Sequence, residues 1–354
     1  MFSLFSRGKP AIAFINGKPV DVLPKETILS AALRNGIPFP NSCRVGGCAT
    51  CKCKLVSGQV RQLTDAAYIL SDADLDDGCI LACQSVPRSD VSIEVDNTSV
   101  AVARRCRAKV LARDPLTHDI VRLRVQLEEA LPYRAGQFAT LEFDDMSGLR
   151  RSYSFASPPN PDGQTTFFVR KVPNGIFSTH VHERDIVGRH LSVEGPHGDF
   201  WLRPGARPLL MIAGGSGLAP IVAMLAECQD AIDARPVHLL FGARSRHDLY
   251  EQDAIDRIAA RWNAPFTFTP ILSAEPQSSP WAGKRGLVTD FIPGELARSA
   301  EAYLCGPPAM VDAARLKLLD AGATRDHIRA DRFTTQRDET NLLAAQNNGY
   351  RRQA

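Results

Sequence analysis

The chain has no block of like charge: its 42 basic and 39 acidic residues are interspersed and sum to +3. Without a concentrated positive field there is no basis for a polyanion-binding surface, and nucleic acid is not expected as a partner. The run Met1-Phe2-Ser3-Leu4-Phe5-Ser6-Arg7 lacks the long apolar core of a secretory signal, so the cytoplasm is the expected location. Internal repeats and low-complexity tracts are also missing. One long uncharged stretch exists, Pro208 to Ala226, close in length to a bilayer span. Its interior Gly214-Gly215-Ser216-Gly217 and Pro220 read instead as a buried strand, a turn and a helix start, so no membrane span is expected. What remains, at 354 residues, 44% hydrophobic and 23% charged, has the composition of two or three packed domains.

Short strand-like runs, Ala11 to Asn16 and Val20 to Leu23 about a Gly17-Lys18 turn, open a small β-rich module. A helix is predicted from Thr27 to Asn35, with Thr27 able to cap it and Gly36 to end it. Val91 to Val95 alternates as a closing strand, and Asp96 to Ser99 reads as a linker. From about Arg104 the alternating runs lengthen, at Val121 to Leu127, Phe138 to Phe143 and Thr166 to Val172, which predicts an antiparallel barrel. After Pro208 strands and helices take turns. Strands at Leu209 to Ala213, Val237 to Phe241 and Ala302 to Leu304, with helices from Ala219, near Asp253 and from Ala309, predict an α/β unit with a parallel sheet. The polar stretch after Phe333 is expected to be loose.

Nine cysteines are present, and four have a telling order. Cys43, Cys48 and Cys51 stand as C-x4-C-x2-C, and Cys83 follows after a long interval. That is the spacing of a plant-type [2Fe–2S] cluster, and the glycine-rich residues between the first three let backbone amides approach the sulfides. A zinc site would pair two C-x2-C-like units, whereas here the second half offers Cys83 and a differently spaced Cys79. A disulfide is disfavoured in a reducing compartment. Cys53, Cys79, Cys106 and Cys228 are left as small buried hydrophobes.

Arg151-Ser152-Tyr153-Ser154 follows a predicted strand, in which Arg151 and Tyr153 share a face. An arginine fork can neutralise a pyrophosphate and a tyrosine face can stack on an isoalloxazine, although four such residues alone also suit an exposed barrel strand. Gly175-Ile176-Phe177-Ser178 can start a helix whose free amides meet the same pyrophosphate. Gly214 to Pro220 lies between an apolar strand and a helix. It is not G-x-G-x-x-G, so a conventional dinucleotide fold does not follow, and a simple tight turn is the alternative. Cys305-Gly306-Pro307-Pro308-Ala309-Met310 closes a second strand at a similar junction, and ligands in open α/β sheets collect at such strand ends.

Taken together these motifs resemble the ferredoxin–NADP reductase superfamily, in its form with a plant-type ferredoxin fused at the N-terminus. The resemblance covers the chain to Phe333. It implies an α+β multidomain protein: a β-grasp [2Fe–2S] ferredoxin domain over 1–99, an antiparallel β-barrel FAD domain over 104–205 and an α/β parallel-sheet NAD domain over 206–333; the flexible tail expected over 334–354 departs from the family, running past where such chains usually stop. The module order is that of the reductases serving xylene monooxygenase, phenol hydroxylase and methane monooxygenase. The implied activity is transfer from NADH through FAD and the cluster to a terminal oxygenase or hydroxylase, which can be membrane-bound. NADH delivers two electrons together and an oxygenase iron takes them singly, so a flavin must divide the pair.

By the same resemblance, Cys43, Cys48, Cys51 and Cys83 hold the irons, and Ser154, Cys305 and Phe333 stand at the reacting atoms. The cofactor-binding set is Arg151, Ser152, Tyr153, Ser154, Arg170, Gly175, Phe177, Ser178, Gly214, Gly215, Ser216, Gly217, Pro220, Arg244, Cys305, Gly306, Pro307, Met310 and Phe333. Arg244 and Arg246 after the second strand would suit a 2′-phosphate, against the NADH implied by the resemblance. The alternatives are a reductase of a soluble Rieske dioxygenase, one acting in deoxysugar synthesis, or a binding module with degenerate sites. The last is disfavoured by the complete cysteine set beside Arg151 to Ser154.

Overall fold

The structure, a computed structural model, describes residues 10–41, 46, 49–70, 72–95, 103–229, 231 and 234–333. They fall into two compact units, one within residues 1–100 and one spanning Ala101–Phe333. Cys43, Cys48, the 96–99 linker and the tail beyond Phe333 lie outside the described residues.

The first unit is a five-stranded mixed sheet. Strand β1 (Ala11–Ile15) pairs antiparallel with β2 (Lys18–Val22) across Asn16-Gly17, which both take positive φ, 47° and 80°, as a two-residue hairpin requires. The turn thus sits one residue earlier than Gly17-Lys18. Helix α1 (Ile28–Arg34) starts where the Thr27 hydroxyl accepts the Ser30 N–H at 3.2 Å, and ends before Gly36 at φ +67°. Its Ile28, Leu29, Ala31 and Ala32 are buried in the core. Strand β3 (Lys52–Ser57), a small ribbon of β4 (Val60–Gln62) and β6 (Ser85–Pro87), helix α2 (Asp72–Asp76), β5 (Cys79–Leu81) and β7 (Val91–Glu94) complete the unit. The sheet order is β2-β1-β7-β3-β5, with β7 parallel to β1 and antiparallel to β3. A helix gripped by such a sheet is the β-grasp arrangement.

The second unit opens with six antiparallel strands: β8 (Arg104–Pro115), β9 (Ile120–Leu127), β10 (Phe138–Phe143), β11 (Arg151–Ser154), β12 (Gln164–Arg170) and β13 (His190–His197). Their order is β11-β10-β13-β8-β9-β12, and a bridge between Phe155 and Phe167 joins the two ends, closing a barrel. Inward residues such as Leu123, Leu141, Phe143, Phe167 and Val193 fill it. Helix α3 (Ile176–Glu183) packs beside it. Strand β12 stops at Arg170 rather than Val172, because the Val172 N–H is taken by the Ser178 hydroxyl at 3.0 Å.

The remainder is a six-stranded parallel sheet, β14 (Leu209–Gly214), β15 (Val237–Ala243), β16 (Phe266–Leu272), β17 (Lys284–Arg285), β18 (Glu301–Gly306) and β19 (Ile328–Arg332), in the order β17-β16-β15-β14-β18-β19. The connecting helices are α4 (Leu218–Cys228), α5 (Gln252–Arg261), α6 (Gly294–Ser299) and α7 (Pro308–Asp320). Along β14, Leu209, Met211 and Ala213 join the core shared with α4, α5 and the barrel's Ile120 and Phe168, whereas Leu210 and Ile212 join that of α6 and α7. Burial on both faces accounts for the continuous apolar run that matched a membrane span in length. Among the described residues no helix is long and apolar enough to cross a membrane.

Candidate functional site

Two of the four predicted iron ligands are described. Cys51 precedes β3 and Cys83 lies in the turn after β5, with exposures of 3% and 5%. They are drawn together by the Ala82 N–H, which donates to the Cys51 carbonyl at 3.0 Å. Gly46 lies beside them at φ +78°, and a Cβ there would stand 2.8 Å from the Gln84 Cγ. Gln84 in turn donates to the Cys83 carbonyl at 3.0 Å and lies 3.7 Å from its Sγ. Buried thiols beside a backbone that admits no side chain form a suitable donor set for an iron–sulfur group. Cys53 points into the same core, and burial pushes its thiol far above the ordinary range.

On the barrel, Arg151 and Tyr153 alternate with Ser152 and Ser154 along β11 as predicted. The Tyr153 ring lies 5.6 Å from the ring of Phe177, so the Arg151–Ser154 strand and the Gly175–Ser178 turn stand side by side. Phe177 is 1% exposed and also packs on Phe143, which makes it the floor under Tyr153. Ser178 closes the turn, accepting from the Val172 N–H and donating to the Gly175 carbonyl at 3.2 Å. Helix α3 starts without a side-chain cap, leaving its first amides to a ligand or water.

The two glycine junctions of the parallel sheet interlock. Ala213 pairs with Cys305 across β14 and β18, and a methyl group on Gly217 would lie 2.3 Å from the Cys305 carbonyl oxygen. One on Gly214 would meet the Met310 sulfur at 2.5 Å and Pro307 at 3.2 Å. Gly306, at φ +148°, backs onto the Gly214 backbone, and the Phe333 N–H donates to the Gly306 carbonyl at 2.9 Å. Gly214, Ser216 and Gly217 are therefore brought together with Cys305, Gly306, Pro307, Met310 and Phe333. Pro220 occupies the first turn of α4, which has no side-chain cap. Cys305 is fully buried, and this burial pushes its thiol well above its ordinary value.

Arg170 reaches from β12 toward the same turn: its Nη1 lies 3.6 Å from where Gly215 would carry a Cβ, and its Nε pairs with Asp119 at 2.8 Å. Arg244 is exposed just beyond β15. Arg246 leans on Glu275, whose carboxylate accepts the Arg246 backbone N–H at 2.9 Å and stands 3.9 Å from its Nε. Sequence reasoning missed Asp119, Glu275 and Tyr250. Each meets its partner across 29 or more residues of chain, and none carries a local motif.

Comparison with known proteins agrees with this division of labour. Residues 13–88 match a 2Fe-2S iron-sulfur cluster binding domain, 107–201 an oxidoreductase FAD-binding domain and 211–316 an oxidoreductase NAD-binding domain. The chain is 42% identical over 311 residues to the xylene/toluene monooxygenase electron transfer component of Pseudomonas putida, covering 87% of this chain and 89% of that one. It is 36% identical to the ferredoxin–NAD(P)(+) reductase component of the naphthalene 1,2-dioxygenase/salicylate 5-hydroxylase systems of a Ralstonia species, over 87% of this chain and 93% of that one. A solved cytochrome P450 reductase from Amycolatopsis superposes with a TM-score of 0.69 at 32% identity, over 92% of this chain and 99% of that one. The chain belongs to the ferredoxin–NADP reductase superfamily, among the oxygenase reductase components that join a [2Fe–2S] ferredoxin domain to FAD- and NAD-binding domains.

Proposed function

We propose that this reductase draws on NADH in the cytoplasm and serves a hydroxylase of the xylene monooxygenase kind, including a membrane-bound one. Its ferredoxin, FAD and NAD domains would span 1–99, 104–205 and 206–333. When bound, the dinucleotide and flavin supply the two-electron exchange and the cluster a one-electron outlet.

The chain's own residues bind and orient. Cys43, Cys48, Cys51 and Cys83 would hold the irons. Arg151 and the free amides of α3, from Gly175 onward, would receive the FAD pyrophosphate, with Tyr153 offering a flat face supported by Phe177 and Ser154 at the reacting edge. Gly214 to Gly217 and Pro220 would take the dinucleotide phosphates at the start of α4, helped by Arg170. Cys305 to Met310 would border the nicotinamide, with Phe333 covering the flavin. The observation that carries this reading is the interlock of Gly217 on Cys305 and of Gly306 on Phe333, which sets both strand-end turns and the aromatic residue at one place. NADH is favoured because the Glu275 carboxylate, 3.9 Å from the Arg246 Nε, opposes the charge that Arg246 would offer a 2′-phosphate.

The test is an absorption spectrum with iron and flavin analysis of the purified protein, followed by anaerobic titration with NADH and NADPH. A colourless, iron-free product after reconstitution overturns the reading, and better turnover with NADPH overturns the choice of donor. The similarity to the naphthalene dioxygenase reductase favours a second acceptor, a Rieske dioxygenase. Co-purification separates the two: a membrane hydroxylase supports the first and an oxygenase α-subunit with a Rieske motif the second.

A further inference from the structure

We propose that Tyr250 is a positioning residue of the dinucleotide site, its phenol fixing the Gly215 carbonyl and thereby the orientation of the Gly214–Gly217 turn. This rests on the reading of that turn as the dinucleotide's seat. Tyr250 lies between β15 and α5, is 5% exposed, and donates its hydroxyl to the Gly215 carbonyl at 2.9 Å. Within the turn the Gly215 carbonyl also accepts the Leu218 N–H, and the phenol adds a tether from outside it. Gly215 takes a left-handed φ of +54°, and neither the turn nor α4 has a side-chain cap. A peptide free of side chains is held only by what grips its backbone.

The tyrosine is itself fixed from both halves of the unit. Its ring meets Phe168 of barrel strand β12 edge-on at 5.5 Å and Phe241 of β15 edge-on at 5.7 Å. The next residue, Glu251, pairs with Arg122 on barrel strand β9. The barrel that carries the flavin motif thus sets where the phenol stands, and the phenol sets the glycine turn. Burial raises the phenol's pKa well above its ordinary value, so the hydroxyl remains a donor throughout the working pH range.

Tyr250→Phe keeps the ring and removes the donor, leaving the Gly215 carbonyl without it. In full-length, flavin- and iron-loaded protein, calorimetry with NAD+ and with ADP-ribose should show Kd raised about three- to tenfold, the scale of one hydrogen bond. With ferricyanide as acceptor, KM for NADH should rise by a similar factor while kcat stays within about twofold. Flavin content, iron content and melting temperature should stay near wild type. Ile258→Val trims a buried side chain of α5 in the same core and leaves the phenol and its ring partners intact; it should lower the melting temperature but leave Kd unchanged. Wild-type affinity in Tyr250→Phe, or equal weakening in Ile258→Val, overturns the proposal. If the wild type binds neither ADP-ribose nor NAD+, the reading of the turn fails first and takes the proposal with it.

Discussion

Gly217 lies against the Cys305 carbonyl so closely that a Cβ would stand 2.3 Å from the oxygen, with backbone on both sides of the contact. Backbone cannot swing away as a side chain can, so strands β14 and β18 would have to part. Gly217→Ala should therefore cost about 1–3 kcal/mol, the scale of core overpacking, and weaken NAD+ binding with it. Gly294, at the start of α6, has nothing within 4 Å of its Cβ position. Gly294→Ala should leave the melting temperature unchanged or slightly raised, so thermal melts of the two variants check the argument together.

Burial holds the Cys305 thiol well above the ordinary 9.0, with Asp331 adding to the effect. The folded state thus favours the neutral thiol. Stability from this source is complete below the unfolded thiol's pKa and is lost as pH rises above about 9. Cys305→Ala should flatten the alkaline fall in stability. It should also slow flavin reduction by NADH about ten- to a hundredfold through lost positioning, with cluster content intact and no new pH dependence between pH 6 and 9. Stopped-flow reduction across that range reads the second effect, and an unchanged rate would remove Cys305 from the site.

How much of this was legible in the sequence follows the range of the interactions. The Thr27 cap, the Gly36 stop and the Gly214–Gly217 turn are local chemistry and stand where the sequence put them, whereas the first hairpin turn moves one residue, to Asn16-Gly17. Strand β16 escapes such a reading because Pro270 interrupts its run, yet Pro270 pairs with Phe241 of β15 in a stretch that β17, joining at Ile271 and Leu272, does not reach. Strand β19 (Ile328–Arg332) is a half-buried, polar edge with no apolar run to betray it. Tyr250 and Asp119 meet Gly215 and Arg170 across 35 and 51 residues, which no periodicity encodes.

Three barrel histidines share one tendency. His180, His182 and His197 are all held below the ordinary 6.5, chiefly by burial. Burial disfavours their charged forms, and for His182 it outweighs the opposing effect of the hydrogen bond that Nε2 donates to the Val169 carbonyl at 2.9 Å. Stability from them is present above about pH 6.5 and is lost as pH falls through their lowered folded values. Flavin release, followed by the recovery of free flavin fluorescence, should increase as pH drops below 6.5. Release independent of pH from 7 to 5 would count against it.

Glu275 decides what Arg246 can offer to a coenzyme. Its carboxylate is covered, accepts the Arg246 backbone N–H and stands 3.9 Å from the Nε of the half-exposed Arg246 side chain, so it offsets part of the charge that Arg246 offers to solvent. A glutamine in its place keeps the size and a backbone acceptor but removes the opposing charge. In Glu275→Gln, Arg246 becomes available to a ribose 2′-phosphate beside the exposed Arg244. The ratio of kcat/KM for NADPH to that for NADH should rise about two- to fivefold, the scale of one partly exposed charge interaction. The gain should fade at 0.5 M salt as screening shortens the reach of the guanidinium, to roughly 4 Å by Debye scaling. A ratio that does not move at low salt would show that Arg246 lies away from the coenzyme.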